Sequence, residues 1–308
     1  MLSLVVPMYN EEKTVTELHG RIVGALTRLQ QPFEIIFVND GSTDKTEDVA
    51  SRLTPLRLFT FRRNYGQTSA IDLGIHMTEG DVIVLLDADL QNDPAEIQTL
   101  LTKLNEGYDV VIGRRSGRKD PVMRLLFSRF ANWCARILLK VPVHDFGCGL
   151  KVYRAEFIKN FRLWGDSQVF LAAVAQERGA RITEVPVTFH PRVAGFSKIR
   201  ISRMLRGAFD LLSIVFFVRY FSKPLRFFGG WGVFFGFLAF IAFASSLYLR
   251  FAGIKHITET PLPTVGTLFA ILGVLLFMMG LLAEVLLRIY YDNPLRSPYL
   301  VKPEKKNE

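Results

Sequence analysis

Two stretches of the chain, residues 227–249 and 260–283, run for 23 and 24 residues without a charged side chain, and they constrain the fold more than any other feature. A bilayer core of ~30 Å is crossed by about 20 helical residues, because an α-helix rises only ~1.5 Å per residue. Either stretch is long enough. In water the same segments would have to be covered on all sides as a soluble apolar hairpin. Rich in Phe, Gly and Leu and ending at charges, they read instead as a transmembrane hairpin, with spans at about 227–249 and 262–287.

The net charge of +9 is concentrated beside these spans. Between Arg114 and Lys140 there are eight Lys or Arg against one Asp, and between Lys198 and Arg226 seven against one. Basic patches of this kind suit either nucleic acid or anionic headgroups. Their position ahead of the spans favours the lipid bilayer and a cytosolic face, with no nucleic-acid partner. The connection from Arg250 to Glu259 carries only Arg250 and Lys255, so both flanks of the hairpin are the more basic sides. That places the N-terminal domain and the C-terminal tail, and hence both termini, in the cytosol. Glu284 and Arg288 stand four apart at the exit of the second span, a pairing distance. Cys134 and Cys148 have no metal-binding spacing and read as free thiols. The opening residues are a short apolar run without a basic leader, followed at once by Asn10, Glu11 and Glu12, so no signal peptide is expected.

The first half of the chain alternates short apolar runs with helical periodicity. Residues 2–7, 34–38, 57–62 and 82–86 read as strands, and 15–29, 45–53 and 67–77 as helices. Three strand-to-helix units followed by a fourth strand predict a doubly wound, mainly parallel sheet, whose right-handed crossovers bring the loops after the strands to one rim. Helices over 97–104 and 168–179 and strands over 109–112, 150–154 and 182–190 complete the domain. Neither a G-x-G-x-x-G fingerprint nor a P-loop is present, which removes dinucleotide oxidoreductases and P-loop ATPases.

The fourth strand stops abruptly at Asp87-Ala88-Asp89-Leu90-Gln91. Two carboxylates spaced i, i+2 at a strand end can converge on a hard cation, Mg²⁺ or Mn²⁺, if the chain stays extended there. A bland alternative is that Asp89 caps the helix that starts near Pro94. Residues 191–198 hold Arg192 and Lys198 around a glycine and a serine. They suit either a loop folded over a pyrophosphate or a solvated linker. Residues 123–139 interleave Leu125, Leu126, Phe130, Trp133, Ile137 and Leu138 with Arg124, Arg129 and Arg136, as either a surface helix or one at headgroup level. Residues 201–228 alternate basic and bulky apolar side chains, as interfacial helices do.

In combination, the motifs Pro7-Met8-Tyr9-Asn10-Glu11-Glu12, Val38-Asn39-Asp40-Gly41-Ser42, Arg63-Asn64-Tyr65-Gly66, Asp87-Ala88-Asp89-Leu90-Gln91, Arg192 to Lys198, Arg288-Ile289-Tyr290-Tyr291 and Arg296-Ser297-Pro298-Tyr299 resemble the membrane-anchored polyprenyl-phosphate glycosyltransferases of glycosyltransferase family 2, relatives of dolichyl-phosphate mannose synthase. The resemblance implies an α/β catalytic domain of the GT-A type, Rossmann-like with a mainly parallel sheet, over residues 1–198. Amphipathic interface helices over 199–226, a hairpin over 227–290 and a cytosolic tail over 291–308 would follow. It also implies a bacterial inner-membrane enzyme that transfers one sugar, with inversion, from a UDP- or GDP-linked donor to a polyprenyl phosphate. By the same resemblance Pro7, Tyr9, Asn10, Glu11, Val38, Asp40, Gln67 and Ala88 line the nucleotide sugar, and Asp87, Asp89 and Gln91 bind the metal. Arg192 and Lys198 close over the donor, and Arg115, Ser128 and Arg129 meet the acceptor phosphate. The Q-x-x-R-W signature of the family's processive synthases is absent, so chain polymerisation is not expected.

A phosphate acceptor is ionised at neutral pH and needs no strong general base. Asp145, in the loop 144–149, is therefore expected to shape the site rather than take a proton. An acceptor with a hydroxyl, such as diacylglycerol, would reverse that expectation. A catalytically silent, nucleotide-sugar-binding membrane subunit is the alternative outside enzymes. Gly229, Gly230, Gly232 and Gly236 would let the hairpin pack against a second copy or simply face lipid.

Overall fold

The computed structural model describes residues 1–116, 122–163, 165, 167–190, 215, 216, 220, 223–254, 256 and 259–291. The chain divides into two compact units, Met1–Ile214 and Val215–Glu308. The loop with Arg192 and Lys198, most of the expected interface helices and the C-terminal tail lie outside the described residues.

The first unit is built on a seven-stranded sheet of order β3-β2-β1-β4-β6-β5-β7. β1 (Leu2–Met8) is buried along its whole length, as a central parallel strand covered on both faces must be. β2 (Phe33–Asn39) and β4 (Val82–Leu85) pair with it in parallel on either side, and β3 (Arg57–Thr60) pairs outside β2. The crossover helix α1 (Val15–Arg28) turns Val15, Leu18, Ile22 and Leu26 into the core, a stripe at helical spacing. α2 (Thr46–Ala50) is shorter than the periodicity predicts; the Asp44 carboxylate takes the Thr46 N–H at 3.0 Å just ahead of it. α3 (Gln67–Met77) begins directly at the rim, after Gly66.

Beyond β4 the sheet is mixed. After α4 (Ile97–Asn105), β5 (Val110–Ser116) and α5 (Val122–Leu139), the chain returns as β6 (Lys151–Arg154). β6 inserts antiparallel between β4 and β5. The reversal has a direct consequence, because β6 starts at the edge where β4 and β5 end and delivers Gly149 and Lys151 there. The short α6 (Ala155–Ile158), a 3-10 turn (Ser167–Phe170) and α7 (Leu171–Glu177) lead to β7 (Ile182–Thr188), parallel to β5. β7 ends two residues before the expected limit, and Phe189 then makes a single antiparallel bridge with Asn92.

The described part of the second unit contains α8 (Pro224–Phe251) and α9 (Leu262–Tyr291). Both are long and apolar enough to cross a membrane, and both leave large side chains exposed, among them Phe237, Phe240, Leu268 and Val274. Exposure of that kind suits a lipid solvent rather than water. The helices approach each other through glycine: a Cβ at Gly232 would stand 2.8 Å from the Gly273 carbonyl oxygen, and one at Gly273 equally close to that of Gly232. Gly229 is likewise used inside the hairpin, against Leu225 and Phe277. Gly230 and Gly236 face open space.

This packing predicts an asymmetry among the glycines. Gly273→Leu would force the helices apart, at a cost of about 1–3 kcal/mol, and lower the thermal midpoint of the detergent-solubilised protein. Gly236→Ala should leave that midpoint unchanged or raise it, since its added methyl meets nothing and Ala is the better helix former.

Candidate active site

The loops that follow β1, β2 and β3 are tied into one wall. Asn10 takes a left-handed conformation, φ +57°; its N–H donates to Ser42 Oγ and its Oδ1 accepts from the Thr43 N–H, both at 2.9 Å. The Glu11 N–H donates to Thr46 Oγ1 at 2.8 Å, and the Lys45 N–H to Glu12 Oε2 at 3.2 Å. Asp40 is buried, and its two oxygens accept from the backbone N–H groups of Tyr65 (2.7 Å) and Gly66 (2.9 Å). Gly41, at φ +64°, has the Arg63 backbone where a Cβ would go, so no other residue fits the turn. Pro7 and Val38 are buried beneath this wall, while the rings of Tyr9 and Tyr65 are exposed. The Arg63 guanidinium lies 4.7 Å from the Tyr65 ring centre.

The carboxylate pair sits behind β4, but not by the extended alternation that the spacing suggests. The strand stops at Leu85, and the chain turns through Ala88 to Leu90, the last at φ +57° and buried. A left-handed leucine costs about 1–2 kcal/mol, which the burial of its side chain offsets. Asp89 does not cap the following helix. Asp93 does, accepting from the Ala95 N–H at 2.9 Å with Pro94 in the first turn, while Asp89 Oδ1 accepts from the Gln91 N–H at 3.2 Å. Gln91 is stapled to the end of β7: its carbonyl accepts from the His190 N–H (2.9 Å) and its Nε2 donates to the His190 carbonyl (3.3 Å).

Asp87 is half-buried. Its Oδ1 accepts from Gln67 Nε2 at 2.7 Å, and its Oδ2 lies where a Cβ on Gly149 would be, so residue 149 must be glycine. Burial first, and the Asp89 charge second, push the Asp87 carboxyl up to about 6, against the pull of Lys151, Arg115 and the Gln67 hydrogen bond. Lys151 is buried at the start of β6, and burial pushes its ammonium down in pKa; it donates to the Gln168 carbonyl at 3.4 Å.

Next to this pair is a second charged element. Arg115, at the end of β5, forms a bidentate pair with the buried Asp145, Nε to Oδ2 at 2.7 Å and Nη2 to Oδ1 at 2.6 Å. The Phe189 ring centre lies 5.3 Å from the guanidinium. Burial pushes the Cys148 thiol up to about 12; buried beside Asn92, it packs rather than reacts. Ser128 and Arg129 lie on α5, the first half-buried and the second exposed. Gly149 stands in the loop 144–149 without a predicted role, and Lys151 and Glu184, whose carboxylate holds the loop at residues 144–145, escape the sequence reading because they stand inside predicted strands. A lysine or glutamate inside a predicted strand reads as a solvent-facing residue.

The donor set at this rim suits a divalent cation. Among the described residues no group of three or more His, Cys, Asp and Glu could enclose a metal, so Asp87 and Asp89 would be the anionic ligands, with Gln91 as a neutral one. Oxygen donors in that number fit Mg²⁺ or Mn²⁺ completed by substrate phosphates. The burial that makes an ionised Asp87 unfavourable would be offset by a cation at the pair.

A mixed sheet in this order, with two carboxylates at the end of its fourth strand, is a GT-A-like fold. Residues 3–160 match the family model for glycosyl transferase family 2. The chain is 37% identical over 313 aligned residues to dodecaprenyl-phosphate galacturonate synthase of Rhizobium johnstonii, covering 98% of this chain and 92% of that one. It is 32% identical to undecaprenyl-phosphate 4-deoxy-4-formamido-L-arabinose transferase of Edwardsiella ictaluri, covering 98% and 93%. Among solved structures, glucosyl-3-phosphoglycerate synthase of Mycobacterium tuberculosis, crystallised with Mn²⁺, uridine diphosphate and phosphoglyceric acid, superposes with a TM-score of 0.57 at 19% identity, covering 71% of this chain and 78% of that one. The chain belongs to glycosyltransferase family 2.

The raised Asp87 pKa makes stability depend on pH. With a folded value of about 6 against 3.8 for the free group, the ionised carboxylate destabilises the metal-free fold fully above pH 6, and the penalty fades as pH falls through 6 toward 3.8. Asp87→Asn should therefore raise the melting temperature of the metal-free protein at about pH 7.5, with the gain nearly gone by about pH 4. The same variant should lose Mn²⁺ binding in calorimetry.

Proposed function

We propose that this protein transfers a single sugar from a nucleotide diphosphate sugar to a polyprenyl phosphate at the cytosolic face of a membrane. The observation that supports it most is the similarity over 98% of the chain, hairpin included, to enzymes named for transfer to dodecaprenyl and undecaprenyl phosphate. On this reading residues 1–198 form the catalytic domain, and the interface segment and hairpin keep the rim near the headgroups, where the acceptor phosphate lies. Basic flanks on both sides of the hairpin support cytosolic termini.

The chemical problem is to break the sugar C1–phosphate bond while two anions approach. The wall formed by Asn10, Glu11, Asp40 and the Tyr65–Gly66 backbone would hold the nucleoside. Asp87 and Asp89, oriented by Gln67 and Gln91, would hold Mg²⁺ or Mn²⁺, which when bound supplies positive charge to the leaving diphosphate. Arg192 and Lys198, which lie outside the described residues, would add charge. Arg115, with Ser128 and Arg129, would receive the acceptor phosphate. That phosphate attacks as an anion, so positioning and electrostatics supply most of the rate. Both oxygens of Asp145 accept from the Arg115 guanidinium, which suits it to holding that cation rather than to taking a proton.

The test is a donor screen on purified protein with UDP- and GDP-sugars, a divalent cation and a polyprenyl phosphate, read by mass spectrometry of the lipid. The expected product is the lipid plus one sugar, absent in Asp89→Ala and with EDTA. Binding of a nucleotide sugar without transfer to the lipid phosphate would overturn the reading. Asp145→Asn should weaken acceptor use but lower turnover by less than about a thousandfold; a larger loss with intact donor binding would make Asp145 a base and point to a hydroxyl acceptor.

A further inference from the structure

The Glu184 side chain is buried and lies on β7, in register beside Ile112 of β5, three residues before Arg115. All three hydrogen bonds to its carboxylate come from one short stretch of loop. Oε1 accepts from the backbone N–H groups of His144 (2.6 Å) and Asp145 (2.9 Å), and Oε2 lies 2.8 Å from His144 Nδ1. Between α5 and β6 the chain has no regular structure to hold it, and the buried Val143 and Phe146 anchor the loop only on either side. The carboxylate thus fixes the backbone of Asp145. Asp145 in turn grips Arg115 at three points: the backbone N–H at 3.1 Å, Nε at 2.7 Å and Nη2 at 2.6 Å. Gly147, next but one along the same loop, abuts Nη2 so closely that a Cβ there would stand 2.8 Å from it. The plane of the guanidinium is therefore set by the loop, and the loop by Glu184.

We propose that Glu184 is a positioning residue for the acceptor side of the site, acting through the backbone of His144 and Asp145 to fix the guanidinium of Arg115. This rests on the reading of Arg115 as a residue that meets the acceptor phosphate. A planar guanidinium recognises phosphate by a fork of N–H groups, so a rotated plane loses the fork although the charge remains. Glu184 does not need to touch substrate, and its carboxylate is directed to the loop. Its removal should therefore act on acceptor use and spare the donor wall, which is built from the loops after β1, β2 and β3.

The experiment measures KM for polyprenyl phosphate and for nucleotide sugar, kcat, and nucleoside diphosphate binding by calorimetry, on full-length Glu184→Ala, Arg115→Lys and the double variant. Glu184→Ala should raise the acceptor KM by about tenfold or more, with donor KM and diphosphate affinity within about twofold of wild type. In the Arg115→Lys background, where the bidentate grip is already lost, Glu184→Ala should add less than about twofold. Multiplying effects, or donor and acceptor parameters moving together with the melting temperature, would overturn the proposal while leaving the acceptor reading intact. An unchanged acceptor KM in Arg115→Lys would overturn the acceptor reading and the proposal with it. Should Glu184→Ala fail to fold, Glu184→Gln, which keeps an oxygen for the two backbone N–H groups, takes its place in the cycle. Its acceptor KM should rise by about threefold, again without multiplying with Arg115→Lys; no acceptor-specific change there would reduce Glu184 to a structural role.

Discussion

The site depends on keeping a carboxylate where it is costly to ionise. Asp87 stands at the end of β4, half-buried, with the backbone of Gly149 against one oxygen and Gln67 on the other. Deeper burial would keep it neutral and make it a poor metal ligand. Full exposure would leave it ionised but free to rotate, with no reason to prefer a cation to water. The observed position lies between, so that an ionised Asp87 is an unfavourable charge that a cation, and after it a diphosphate, would relieve. Lys151 and Arg115 lower that cost.

That balance is achieved by a reversal in the sheet. A wholly parallel sheet would have placed the start of every strand at the far edge, and only strand ends at the rim. Because β6 runs antiparallel between β4 and β5, its first residue brings a buried lysine beside the carboxylates, and the glycine two positions earlier lets the chain pass against Asp87. The same crossing carries the loop at residues 144–149 over the end of β5, where Asp145 meets Arg115. One topological choice thus supplies both the lysine beside the carboxylate pair and the grip on Arg115.

Much of this was legible in the sequence, for identifiable reasons. Asp40, Asp87 and Asp89 stand out by their common position after buried strands, since each alone is an ordinary turn residue. The two long uncharged runs stand out because each is long enough to cross a bilayer and ends at charges. The direction of β6 was not legible, since a four-residue strand has no intrinsic polarity and takes its direction from the partners it finds. Nor was the turn at Leu90, because nothing in a leucine announces a left-handed backbone. Glu184 was hidden by its setting: an acidic residue between Thr183 and Val185 in a strand looks like the solvent face, and its carboxylate holds a loop 40 residues away in the chain.

On the proposed acceptor chemistry, Asp145 need not serve as a base. With a hydroxyl acceptor, a carboxylate near the reacting oxygen would have to stay unpaired and tuned toward neutral pH. Asp145 is instead paired with a guanidinium, both of its oxygens accepting from it. Such a pair is of little use as a base but well suited to fix the plane of a cation against which a phosphate can lie. In the proposed reaction the difficulty moves from removing a proton to bringing two anions together. A fold that places a carboxylate pair suited to a divalent cation, a buried lysine and a clamped arginine along one edge of the sheet answers that difficulty with charge set in place before either substrate arrives.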